Sequence, residues 1–270
     1  RGKSVVTIHD MSFERYPQFA EKRNLRYLCS GLRRTVRNTD AIIAVSEFSK
    51  AEVESLLPDS SGKVTVVYPG IGSAFSRATD AQIEAVKKKI GLTRPFILTL
   101  GTLEPRKNLG FLMNVFEKVA PQGIDLVVSG APGWKCEGIL DRFAQTKYPK
   151  QFHYLRFVPD GFLKALYSAA ALFVIPSFYE GFGFPPLEAM ACGTPVLSSS
   201  GGSLPEVLGS AACTMKGFEV EEWTSEILGI LGNQKRRDEM TERGVLNASR
   251  FSWKSAAVQT LGVYRKVLGR

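Results

Sequence analysis

The chain has 270 residues, 44% of them hydrophobic and 23% charged, an ordinary globular composition with length for one large α/β domain or one and a half smaller ones. Its net charge of +9 suits a polyanionic substrate, an anionic membrane face or solubility alone; nucleic acid is disfavoured, because no recognised motif and no basic stretch with interleaved aromatics occurs. No apolar run nears the roughly 18 residues of a membrane span, no signal peptide is recognisable, and the scattered Cys29, Cys136, Cys192 and Cys213 form neither a disulfide framework nor a zinc site, which fits a reducing cytosol.

The chain opens at Arg1 rather than Met, and residues 5–8 already read as a strand in mid-sheet, so residues upstream, or a partner chain supplying them, are expected. A helix over 24–37, a strand over 41–45, a helix over 48–57 with Ser46 as its N-cap, and a strand over 63–68 follow. The helix region 22–37 sets Lys22, Arg23, Arg26, Arg33, Arg34 and Arg37 around Leu25, Leu28, Leu32 and Val36 at helical spacing. That makes a basic face, either simply solvated or turned to anionic lipid or a lipid-diphosphate acceptor. Tyr68-Pro69-Gly70 closes this part with turn residues, and 73–80 reads as a linker, with the lobe boundary between 70 and 94.

From Phe96 onward strands and helices alternate. Strands are expected over 96–100, 124–129, 153–157, 171–175 and 195–198, and helices over 109–120, 137–146, 162–169 and 187–192. Apolar runs without strict alternation, separated by helices, predict a parallel sheet covered on both faces. Such sheets bind ligands in the loops after the carboxyl ends of their strands. Residues 219–270 are nearly all helical, broken at Phe251-Ser252-Trp253.

The string from Glu180 to Pro195 (EGFGFPPLEAMACGTP) runs from a buried strand through a glycine-rich turn into a helix. Gly181 and Gly183 permit close backbone approach, Pro185 and Pro186 suit a first helical turn, and the helix start is a ready anion site. The amide of Phe184 and those just inside the helix are then the available donors, since proline has none. Glu180 and Glu188 can flank one elongated ligand and accept paired hydrogen bonds from sugar hydroxyls. The alternative is a tight structural turn with two solvated glutamates. Directly after the 96–100 strand stands Gly101-Thr-Leu-Glu-Pro-Arg106-Lys107-Asn108. Adjacent Arg and Lys at the mouth of a parallel sheet suit a diphosphate, Arg by its fork and Lys as a point charge; a solvated basic turn capped by Asn108 is the alternative. His9 ends the first strand, facing a cleft or merely capping the strand, and His153 reads as structural. Gly130, in Ser129-Gly130-Ala-Pro-Gly133, lies after a strand where a nucleobase could rest.

The Glu-x7-Glu string resembles the signature of the retaining family-4 glycosyltransferases, and mannosyltransferases of bacterial surface-polysaccharide assembly look closest. The resemblance extends from His9 to the last helix. It implies an α/β fold of the GT-B type: a complete C-terminal Rossmann-like lobe over 73–252, and a partial N-terminal, acceptor-side lobe over 1–72 joined by the C-terminal helix 253–270. The implied reaction moves a hexose, mannose favoured, from a GDP- or UDP-linked sugar to a glycan or lipid-linked acceptor with retention. No metal and no cofactor beyond the donor is called for. By the same resemblance Arg106 and Lys107 neutralise the leaving diphosphate. Glu180 and the amides of Gly181, Phe182 and Gly183 meet the sugar, Phe184 and Leu187 mark the helix start, and Glu188 holds the ribose. His9 faces the donor sugar, the loop at Val158 offers backbone to the base, and Gly101 and Gly130 line the nucleotide. The family has no settled protein nucleophile, and the leaving phosphate can itself take the acceptor proton. A cytoplasmic protein is implied, peripheral on the inner membrane face through 22–37. The family's first lobe normally opens with a strand and a Gly-rich loop that have no counterpart here. Two alternatives stand beside this reading: a nucleotide-sugar epimerase or sugar-phosphate synthase on the same fold, and a truncated or split lobe that binds nucleotide sugar without activity alone.

Overall fold

A computed structural model describes residues 2–269, apart from the side chains of residues 22–24 and 160. Two parallel sheets divide the chain. The first has the order β1 (Val5–Ile8), β2 (Ala41–Ala44), β3 (Val64–Val66). It is joined by α1 (Ser12–Arg15), α2 (Lys22–Asn38) and α3 (Glu47–Leu56). Val36 of α2 and Val53 of α3 pack on Ile8 and Ile42, one face of this sheet. The other face, Ala41 and Ile43, is covered by Ala256 and Val263.

The second sheet has six parallel strands. They are β4 (Phe96–Leu100), β5 (Asp125–Ser129), β6 (Phe152–Leu155), β7 (Leu172–Ile175), β8 (Val196–Ser199) and β9 (Cys213–Met215), in the order β6-β5-β4-β7-β8-β9. Each strand alternates its side chains between faces, and here both faces are dry. Leu98, Phe173 and Val196 pack beneath α4 (Asp80–Ile90), α7 (Asp160–Ala169), α8 (Phe184–Ala191) and α9 (Leu204–Leu208). Ile97, Leu126, Val174 and Leu197 pack beneath α5 (Leu109–Val119), α6 (Glu137–Ala144) and α10 (Val220–Leu231). This is why the strand runs read as continuous apolar stretches.

Helix α4 occupies ground that the sequence reading gave to a linker and lobe boundary. Its start carries a capping box between Thr79 and Gln82, and Gly91 ends it at φ 81°. The helix packs along α7, so the six-stranded unit begins near residue 79. The short β9 and α9 lacked a pattern long enough to read. The helical tail divides into α10, α11 (Gln234–Ala248) and α12 (Trp253–Leu268). Two stretches of chain cross side by side between the lobes: Ile71 N donates to Phe251 O at 3.1 Å. A Cβ on Gly70 would stand 2.0 Å from the Trp253 nitrogen, so only glycine fits the crossing.

On α2, Arg26, Arg33, Arg34 and Arg37 are exposed, as are Tyr27 and Leu28; Lys22 and Arg23 lie outside the described side chains. Arg33 pairs with Glu14 and Arg37 with Asp59, surface pairs of the kind worth under about 1 kcal/mol each. Among the described residues no helix is long and apolar enough to cross a membrane.

Candidate functional site

Two loops at the carboxyl ends of the central strands β4 and β7 meet. The first turns through Pro105–Lys107 and is fixed at Asn108 in a left-handed conformation, φ 54°. The second leaves β7 through Ser177 and reaches Glu180, and Phe178 N donates to Arg106 O at 2.9 Å to seam the two. Arg106 Nη1 donates to Glu180 Oε2 at 2.9 Å and to the Tyr179 carbonyl at 2.5 Å, and its Nη2 donates to Glu104 Oε1 at 2.6 Å. Lys107 Nζ donates to Glu180 Oε1 at 2.7 Å, and Ser177 Oγ donates to the same oxygen at 2.6 Å.

The four charged groups are almost out of solvent: Glu104 is 5% and Glu180 7% exposed, and the Arg106 and Lys107 side chains 15% and 14%. Burial pushes the Glu180 carboxyl up, but Lys107 and then Arg106 outweigh it and hold the group below its ordinary value. For Arg106 burial opposes the charge, and Glu180 and Glu104 more than offset it, raising the pKa. Glu180 and Arg106 are therefore both charged at neutral pH, a fixed ion pair rather than a titrating one.

Glu180 opens the turn into α8. The carbonyls of the turn are tied by serines: Ser203 N and Oγ donate to Glu180 O at 2.9 and 3.1 Å, and Ser203 Oγ donates also to Phe182 O at 3.0 Å. The Gly181 carbonyl is taken by serines of the other lobe. The amides of Gly181, Phe182, Gly183 and Phe184 have no acceptor among the described residues. A run of open amides at a helix start is a receptor for an anion or for hydroxyl oxygens.

The glycines act differently from the expectation that they admit a ligand. The space where a Gly181 Cβ would stand is filled by the His9 carbonyl, 2.0 Å away, so this glycine admits the other lobe. Gly183 adopts φ 105°, and a Cβ there would stand 2.9 Å from Leu204 Cδ2; it makes the turn. A Cβ on Gly130 would meet the Gly101 carbonyl at 1.9 Å, so these two bring neighbouring loops into backbone contact. Phe182 and Leu187 are core side chains, 4% and 0% exposed; only their backbone is available to a ligand.

Other expected residues lie around the cluster. His9 is exposed at the end of β1, against Gly181. Glu188, half-buried on α8, accepts from the buried Tyr167 hydroxyl at 2.8 Å. Burial first, then Glu188, drives the Tyr167 pKa well up. Val158 lines a separate open cavity of about 650 Å³ along the β6 edge with Lys89, His153 and Phe162, sharing no lining residue with the cavities that include Arg106 or Lys107. His153 pairs with the buried Asp125 at 3.1 Å. Beside Arg106 and Glu104 a cavity of about 250 Å³ opens between the lobes, lined by Asp10, Phe13, Tyr16, Phe19 and Trp134. Across its rim Lys135, left-handed at φ 54°, donates from Nζ to Gln18 O at 2.6 Å.

Glu104, Ser177, Ser203 and Tyr179 escaped the sequence reading. Glu104 stands inside the Gly101–Asn108 string, so its place beside Arg106 was a findable signal. Ser177, three residues before the Glu180 carboxylate it donates to, was findable in the same way, whereas Ser203 and Tyr179 carry no signal, since their partners lie far away in sequence.

Residues 80–246 match the family model described as glycosyl transferases group 1, and residues 1–75 that described as glycosyltransferase family 4. The chain is similar to the O-antigen chain mannosyltransferase B of Escherichia coli, at 33% identity over 97% of this chain and 70% of that protein. It is 28% identical to the serotype-specific mannosyltransferase WbdA of Escherichia coli, spanning 98% of this chain but 34% of that protein. Among solved structures, sucrose-phosphate synthase from Thermosynechococcus elongatus superposes with a TM-score of 0.84 at 22% identity, over 98% of this chain and 68% of that one. Anabaena HepE, solved in complex with UDP-glucose, gives 0.83 at 18% identity, over 98% and 72%. These likenesses show the fold, α/β of the GT-B type.

Proposed function

This chain belongs to the group 1 glycosyl transferases, and on that premise we propose that it moves a hexose, mannose favoured, from a nucleoside-diphosphate sugar to a glycan or lipid-linked acceptor with retention of configuration. The observation that carries this is the convergence of Arg106 and Lys107 on Glu180 at the entrance to α8, beside four open amides. In this reading the donor diphosphate lies between the two cations and the helix start, and the sugar lies against the turn with Glu180 beside it. Glu188 takes the ribose, and the base lies toward Val158. The acceptor hydroxyl enters from the aromatic cavity at Asp10 and Trp134. As the bond from the anomeric carbon to the phosphate oxygen breaks, the acceptor oxygen bonds to that carbon on the same face, and its proton passes to the departing phosphate oxygen. The cations and the helix dipole stabilise the charge that accumulates there. GDP and UDP are both open as the nucleotide.

A calorimetric panel of UDP, GDP, ADP and their sugars identifies the donor. Arg106→Ala should then abolish transfer while the fold persists by circular dichroism; unimpaired turnover removes the clamp from the account. Epimerisation of the donor without nucleotide release, seen by NMR, would instead select the epimerase reading.

A further inference from the structure

The N-cap Ser46 has a second partner beyond its own helix. Its Oγ accepts from Ser49 N at 3.0 Å, the expected cap, and also donates to the Gly181 carbonyl of the other lobe at 2.8 Å. Ser49 Oγ donates to the same carbonyl at 3.1 Å. Both serines are wholly buried. The remaining first-turn amides of α3 are also accounted for. Lys50 N returns to Ser46 O, while Glu47 N and Phe48 N each donate at 2.8 Å to the carboxylate of Glu206 on α9. Tyr68 Oη donates to Glu206 Oε1 at 2.8 Å. The head of a helix in one lobe is thus capped half by its own serine and half by a carboxylate of the other lobe, where the dipole favours negative charge.

We propose that Ser46 and Ser49 are positioning residues through which closure of the lobes sets the donor-binding turn. A carbonyl oxygen has two lone pairs, and the Gly181 oxygen receives one hydroxyl on each. The peptide is planar and trans, so pinning this oxygen toward α3 aims the amide of Phe182 away from α3, back toward the lobe that carries Arg106 and Lys107. With Ser203 holding the carbonyls on either side, the turn has one available setting, and two of its hydrogen bonds exist only while the acceptor-side lobe is docked. The His9 carbonyl, seated in the space left by the missing Gly181 side chain, fixes the same approach. Closure therefore sets the geometry of the amides, a coupling of the kind that completes a site on domain closure. This rests on the donor lying at the Glu180 turn as proposed above.

The test compares wild type with Ser49→Ala, which keeps the cap, and with Ser46→Gly/Ser49→Ala, where glycine costs only a few tenths of a kcal/mol as a cap. GDP release from GDP-mannose with α-linked mannobiose as acceptor is measured beside GDP affinity and melting temperature. Loss of one such bond corresponds to about tenfold. The expected result is a kcat about tenfold lower in the single variant and about a hundredfold lower in the double, with the GDP Kd and donor KM within about twofold of wild type. A double variant with kcat within threefold of wild type overturns the proposal. So does a loss of kcat matched by an equal loss of GDP affinity and a collapsed melting temperature, the mark of a merely structural role. Should wild type bind neither GDP nor UDP and turn over neither of their sugars, the donor reading fails instead. The coupling is then read from small-angle scattering of the ligand-free chain: a larger radius of gyration in the double variant supports it, and an unchanged one refutes it.

Discussion

Replacing Glu180 by glutamine tests the charge array directly. The substitution keeps the shape and removes one charge between two cations that are themselves nearly buried. Arg106 retains Glu104 and the Tyr179 carbonyl, whereas the ion pair of Lys107 is the one with Glu180. A whole buried pair can often be exchanged for apolar residues at little cost, but deleting one partner strands the other charge, typically at 3–5 kcal/mol. Arg106 keeps a partner, so the low end applies, about 3 kcal/mol, a large share of the 5–15 kcal/mol that holds a typical domain together. At about 2–4 °C per kcal/mol the melting temperature should fall by about 6–12 °C at pH 7.

The loss should depend on pH and on added anion. The folded pKa of Glu180 lies below its ordinary value, so its contribution is complete above the unfolded value of about 4.3 and disappears as the pH falls through the folded one. The gap between wild type and variant should therefore narrow progressively as the pH falls below about 4.3 and close once it passes the lower folded value. In the glutamine variant the two cations are left to an external anion. Pyrophosphate at about 100 times its Kd returns about 2.7 kcal/mol, and should raise the variant's melting temperature more than wild type's, where the anion competes with Glu180. Scanning calorimetry at pH 7 and pH 3.5, with and without pyrophosphate, measures both effects. Equal melting temperatures at pH 7, or a gap that persists unchanged in acid, would refute the electrostatic account.

Gly181→Ala should place a Cβ on the His9 carbonyl and hold the lobes apart, lowering transfer at least a hundredfold; scattering that shows a closed chain with normal turnover would contradict this. Cys192 should resist labelling, because burial first and then Glu188 push its thiol up to about 12. At pH 8 only about one molecule in ten thousand is thiolate, so a disulfide reagent should modify it only in denaturant; rapid reaction in the native state would refute the burial. Trp223→Ala should cost about 3–5 kcal/mol, since the indole is fully buried and donates to Gly217 O at 2.8 Å; a urea midpoint near wild type would refute it.

What could be read from sequence was local. Glycines at a strand-to-helix turn, prolines in the first helical turn and Arg106 beside Lys107 each state a backbone or charge requirement within a few residues, and they located the cluster. The glycine requirement at Gly181 was visible, but its cause was not, because the atom filling the space belongs to His9 of the other lobe. The same distance hid Ser203 and Glu206, whose residue types suggest only capping or solvent. Helix α4 was missed although Thr79 and Gln82 spell a capping box, because the polar stretch before it read as linker and outweighed the cap.

The array at Glu180 has a consequence for how an anion is held. Arg106 and Lys107 are matched by Glu104 and Glu180, so the four groups carry no net charge. A diphosphate is therefore not drawn by an excess of cation at this point. The two carboxylates act as counter-ions that keep the cations extended and oriented in a nearly dry site, and an incoming anion must share them. The favourable balance then comes from donors that are not already committed, the amides of Gly181 to Phe184 and the dipole of α8. Amides give this help only when aimed, and their aim depends on carbonyls held by Ser203 from within the lobe and by Ser46 and Ser49 from across the cleft. A site with surplus positive charge would bind a nucleotide in any lobe arrangement. A balanced one that relies on oriented backbone stabilises the charge developing on the leaving group best when the lobes are closed, which ties the leaving-group site to the lobe where the acceptor enters.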